Sequence, residues 1–141
     1  SGSGKTSRCQ EFAEKYGFRI ISPDLVKVKN TKSERQSAFK QCMEELKIAC
    51  RKGEHIIFDA TNIRKDARNK IHKIVNEYNG LTCIFSIDTS IRQCIINDSK
   101  RDYDNIVGEE VIKKQALSFQ EVCFQDYHLY GLQELKYLLT K

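Results

Sequence analysis

A chain of 141 residues with 40% apolar and 30% charged side chains cannot be collagen-like, low-complexity or wholly disordered. Its net charge of +5 is a mild positive excess, suited to a phosphate-bearing partner without demanding nucleic acid. No apolar run approaches the roughly 18 residues of a membrane span, and no secretory leader, linker or internal repeat is visible, so 1–141 reads as one domain.

The chain opens on Ser1-Gly2-Ser3-Gly4-Lys5-Thr6, the back end of the phosphate-binding pattern G-x-x-x-x-G-K-[ST]. In that loop the glycines let successive N–H groups turn toward phosphate oxygens. The lysine reaches the β- and γ-phosphates and the hydroxyl binds Mg²⁺. Gly2, Ser3, Gly4, Lys5, Thr6 and Ser7 are therefore the expected ATP-binding residues, with Thr6 at the metal. A helix from about Ser7 to Tyr16, anchored by Phe12 and Tyr16, would point its positive end at the phosphates. Ser-Gly-Ser-Gly could also be a linker remnant, but a remnant explains neither Lys5-Thr6 nor the helix behind it. The pattern's first glycine and its leading strand would precede Ser1. The chain thus reads as an N-terminally truncated piece, expected to be marginally stable and inactive as it stands.

Arg19-Ile20-Ile21-Ser22 is a short strand candidate stopped by Pro23, the only proline. Ser33 to Lys52 has helical periodicity, with Phe39, Cys42, Met43, Leu46 and Ala49 or Cys50 on one face and Gly53 as the stop. His55 to Phe58 predicts a second buried strand, and Ala67, Ile71, Ile74, Val75 and Tyr78 predict a helix ended by Gly80. Leu81 to Ile87 predicts a third strand. A helix carrying Ile91, Cys94 and Ile95 follows, then a polar break from Lys100 to Gly108. A long helix is expected from about Glu109 to Gln125, and the tail from Gly131 to Leu139 could add one short element. Strands alternating with helices predict an α/β fold, a three-layer α/β/α arrangement with a parallel sheet of at least three strands. The six cysteines form no CxxC pair, which argues for reduced, core-like thiols of a cytoplasmic protein and against zinc.

The order of motifs resembles the polynucleotide kinase family, P-loop kinases that phosphorylate 5′-hydroxyl ends of DNA or RNA. The resemblance runs through Gly4-Lys5-Thr6, Ile21-Ser22-Pro23-Asp24, Phe58-Asp59-Ala60-Thr61-Asn62 with Arg64 and Arg68 downstream, and Asp98-Ser99-Lys100-Arg101. The layout is similar to that of zeta-toxin-like kinases as well, so it marks the superfamily better than the acceptor.

The resemblance implies roles for single residues. Asp24 would accept the proton of the attacking hydroxyl, or alternatively cap a helix after Pro23. Lys27 stands where the family commonly has an arginine for the acceptor's phosphate, and loses the bidentate fork. Asp59 would lie near metal and phosphates, with Thr61 and Asn62 lining the acceptor cleft; a turn with an Asn cap is the plain alternative. Arg101 would be a catalytic lid arginine on the transferring phosphate, or else part of a solvated loop. A second lid arginine would fall at Asn97, leaving Lys100 or Arg92 to supply it. Pro23 and Leu25 also depart from the acceptor motif.

The expectation is an ATP- and Mg²⁺-dependent phosphotransferase acting on a nucleic-acid 5′-hydroxyl. A zeta-toxin-like or other small-molecule kinase, a nucleotide-binding module without transfer, and a non-catalytic nucleic-acid binder remain open alternatives.

Overall fold

In this computed structural model the described residues are 1–26 and 31–121. Gly4 stands at the N-cap position of helix α1 (Lys5–Tyr16), which Gly17 terminates in the left-handed conformation, its N–H bonding Ala13 O. The helix therefore starts two residues before the expected Ser7. Strand β1 (Arg19–Ile21) leads through Ser22 into the single turn α2 (Pro23–Val26). Pro23 is tolerated there because a first-turn N–H has no intrahelical partner anyway.

Helix α3 (Lys32–Arg51) begins at Thr31, whose hydroxyl accepts from the Glu34 N–H, and it buries Ala38, Cys42, Leu46 and Ala49. Strand β2 (Ile56–Phe58) and helix α4 (Lys65–Glu77) follow. The two strands run parallel, with Arg19 opposite Ile56, Ile20 opposite Ile57 and Ile21 opposite Phe58. Their core joins Ile21 to Cys42, Leu46 and Ala49 of α3 and to Ile71 and Ile74 of α4. Helix α1 packs through aromatic rings, Phe12 lying 4.6 Å from Tyr16, 5.3 Å from Phe18 and 5.9 Å from Phe85.

Two expectations need correction. Leu81–Ile87 forms no strand, so the sheet has two strands among the described residues rather than three or more. An apolar run favours a buried strand, but a ladder also needs a neighbour to take its N–H and C=O groups. No described strand pairs with this segment, and Leu81 and Phe85 stay 54% and 52% exposed.

The final helix is also shorter than expected. Helix α5 (Ile91–Ser99) and a 3₁₀ turn at Tyr103–Asn105 precede α6 (Glu109–Leu117), which stops well before Gln125. The Gln120 N–H donates to Ile63 O (2.8 Å), Gln120 Oε1 accepts from the Lys65 N–H (2.6 Å), and Arg68 donates to the carbonyls of Gln120 and Glu121 (2.8 and 3.1 Å). Those tertiary bonds hold residues 120–121 against the start of α4, which a continued helix could not reach. The expected continuation to Gln125 and the tail element from Gly131 to Leu139 lie outside the described residues beyond 121.

Candidate phosphate-binding site

The loop's shape follows from its glycines. Gly2 and Gly4 have φ of 71° and 83°, a region that side-chain-bearing residues rarely enter. Gly2 is also constrained from outside, since a Cβ there would stand 2.1 Å from the Cys94 carbonyl oxygen.

The first turn of α1 brings Lys5 and Thr6 to Asp59. That aspartate is fixed by the last rung of the β pair, its N–H donating to Ile21 O at 2.9 Å. Lys5 Nζ lies 3.3 Å from Asp59 Oδ1, and the Thr6 hydroxyl donates to Asp59 Oδ2 at 2.9 Å. Asp59 is 3% exposed, so a carboxylate buried this deeply needs such compensation. Its Oδ1 nevertheless has no hydrogen-bond partner.

Mg²⁺ suits this donor set. It keeps several waters and takes one or two carboxylates plus phosphate oxygens rather than an all-protein cage. Thr6 gives its proton to Asp59, leaving its oxygen lone pairs for a cation, and Asp59 Oδ1, which faces the Lys5 ammonium at 3.3 Å without a hydrogen bond, is a second oxygen in place. Among the described residues no group of three or more His, Cys, Asp or Glu gathers to hold a metal, so phosphates and water would complete the shell.

Cys9 lies one turn beyond Lys5 and Thr6. Burial, and then the charge of Asp59, push its thiol pKa up. The thiol therefore stays protonated, a poor nucleophile. The five described cysteines are all free, and Cys123 lies outside the described residues.

Of the remaining expected residues, Asp24 sits in the first turn of α2 with an exposed side chain. It follows the end of β1 as Asp59 follows the end of β2, so both carboxylates belong to the carboxyl edge of the parallel pair. Thr61 is exposed, and Asn62, at φ 45°, donates from Nδ2 to Phe58 O at 3.4 Å. Asn62 shapes the turn and is not the helix cap, which falls at Arg64. Ser7 is exposed on α1, and Lys27 lies outside the described residues.

The structure does not bring Arg101 into the Lys5–Thr6–Asp59 group. Its guanidinium lies 3.5 Å from Asp98 Oδ1 and donates to Asn105 O at 3.5 Å. Asp98, 2% exposed, also accepts from the Val107 N–H (3.1 Å) and the Gly108 N–H (2.9 Å). One carboxylate thus folds the whole segment from 99 to 108 back onto the end of α5.

Three contributors have no local pattern in the sequence. Arg68, expected only as part of a motif, is buried and donates to Asn62 O at 2.8 Å, bracing the turn after Asp59. Asn97 donates to Gly2 O at 2.8 Å and Thr89 to Ser3 O at 3.0 Å, pairs 95 and 86 residues apart that no local spacing encodes.

No curated protein matches the chain. Among solved structures, the crystal structure of APE1195 is similar in fold, with a TM-score of 0.58 at 21% identity over 99% of this chain and 88% of that one. A family described as the AAA domain matches residues 1–122. Since that match takes in the phosphate loop, both strands and the Asp98 turn together, the chain belongs to the AAA domain family, the P-loop NTPase-like kinases and ATPases.

Proposed function

We propose that the protein transfers the γ-phosphate of ATP to a hydroxyl, the favoured acceptor being the 5′-hydroxyl of a DNA or RNA end. The observation that carries this reading is the triangle of Lys5, Thr6 and Asp59 at the start of α1. With nucleotide bound, Lys5 would exchange its contact with Asp59 for the β- and γ-phosphates, while Thr6 and Asp59 would hold Mg²⁺. The ion would neutralise developing charge on the phosphates. Gly2, Ser3, Gly4 and Ser7 complete the nucleotide loop in this reading, within a three-layer α/β/α arrangement.

Asp24 would orient the acceptor hydroxyl and take its proton, positioning mattering more than basicity in a loose transition state. Arg101 would leave Asp98 to meet the transferring phosphate, and Lys27, Thr61 and Asn62 would contact the acceptor.

A second reading is a small-molecule kinase. The observation favouring it is Leu25, which follows Asp24 and is 74% exposed, an apolar surface ill suited to a polyanion. One assay separates the two: γ-labelled ATP with Mg²⁺, a 5′-hydroxyl oligonucleotide as acceptor, and the complete gene product. Label on the oligonucleotide, abolished in Lys5→Ala together with ATP affinity, is expected. ATP binding without labelling favours the small acceptor. Unchanged ATP affinity and turnover in Lys5→Ala would overturn the site itself.

A further inference from the structure

We propose that Asn97 and Thr89 are positioning residues of the phosphate loop, fixing two successive peptide planes so that the Ser3 and Gly4 N–H groups face a bound phosphate. The inference rests on the nucleotide-binding reading of the loop and extends it to residues of another element.

In a trans peptide the C=O of one residue and the N–H of the next point to opposite sides of one rigid plane. The Gly2 carbonyl accepts from Asn97 Nδ2 at 2.8 Å, so the Ser3 N–H points away from α5. The Ser3 carbonyl accepts from Thr89 Oγ1 at 3.0 Å, so the Gly4 N–H is turned away from Thr89 in the same manner. With Gly2 and Gly4 both at positive φ, the loop is a backbone concavity of the anion-binding kind. Its outer side is anchored and its N–H groups are left for the ligand.

A glycine-rich loop has the widest choice of backbone conformations, so without anchors much of the binding free energy would go into ordering it. The two anchors sit near the start and end of α5: Thr89 precedes the cap Ser90, and Asn97 lies in the last turn. Asn97 adjoins Asp98, which holds Arg101 and the turn at Val107–Gly108. The same helix end thus grips both the loop and the segment that carries the lid arginine.

The test is the affinity of the complete gene product for ATP with Mg²⁺, by titration calorimetry. Asn97→Leu keeps the volume and removes the donor; Thr89→Val does the same at the second plane. Each is expected to weaken ATP binding about tenfold, the worth of one hydrogen bond. Thr89→Ser, which restores the hydroxyl, is expected to bind within about twofold of wild type, a rescue that a packing role for the lost methyl would not allow. Asn97→Asp should be at least as weak as Asn97→Leu, because it turns an acceptor toward the Gly2 carbonyl and adds negative charge near the phosphates.

Folded Asn97→Leu and Thr89→Val proteins that bind ATP like wild type would overturn the proposal. Should Asn97→Leu fail to fold, the Thr89 pair decides alone: Thr89→Val as tight as Thr89→Ser overturns it. Lys5→Ala runs alongside. If wild type and Lys5→Ala bind ATP equally, the loop reading fails and takes this inference with it. If only Lys5→Ala is impaired, this inference alone fails.

Discussion

At Asp24 the chemistry and the folding can be separated. Its side chain is exposed and it lies in the first turn of α2, where a negative charge favours the helix start. Asp24→Asn keeps size and turn-forming ability, so stability should move by less than about 1 kcal/mol. Loss of the proton acceptor should lower turnover about a hundredfold or more while ATP still binds. Phosphorylation of the acceptor beside a thermal melt checks both; wild-type turnover would leave Asp24 a helix residue only. Asp59 behaves oppositely, since it is buried and holds Lys5 and Thr6. Gly4-Lys5-Thr6 and Asp59 were legible in the sequence because a phosphate loop needs particular residue types at particular places. Asn97 stands where the resemblance would place a second lid arginine; its contact with Gly2 depends on the fold and leaves no local trace.

Between elements, the junction of α4 with the segment after α6 depends on Arg68. Its guanidinium donates to the carbonyls of Asn62, Gln120 and Glu121, while its Nε is buried without a partner. Arg68→Leu should therefore destabilise the protein by roughly 2–4 kcal/mol, because buried carbonyls lose their donors. Denaturant unfolding measures that loss, and amide exchange should quicken at Gln120, whose N–H donates to Ile63 O. A change under about 0.5 kcal/mol would show that the Arg68 bonds do not hold this junction. The same junction explains why α6 ends before the apolar periodicity does. Phe119 and Cys123 continue the apolar periodicity, yet bonds from a distant helix decide where the chain turns. Leu81–Ile87 forms no strand for a related reason: side-chain pattern marks a strand's faces and not the neighbour its backbone needs.

Across the whole molecule, the thiols give stability an alkaline limit. Burial, with a smaller push from Glu45, raises Cys42 from the usual value near 9 to about 11, and Cys50 is raised by burial as well. Between those two values the unfolded chain gives up the Cys42 proton while the folded one keeps it. The stability contributed by the neutral thiol is thus complete below pH 9 and declines as pH rises toward 11. Melting temperature should fall across that window, and Cys42→Ala should flatten the fall while starting from a lower value at pH 7. An equally steep fall in Cys42→Ala would assign the limit to other groups. Lastly, the phosphate loop is tied to residues 53, 86 and 95 positions away, through Thr6–Asp59, Ser3–Thr89 and Gly2–Asn97. Closing such long chain segments is entropically slow and precedes any reward from the contacts made. The loop is therefore among the last parts to acquire its shape during folding. Refolding followed by a nucleotide probe should lag the appearance of helix seen by circular dichroism, and simultaneous recovery would show that the loop forms early.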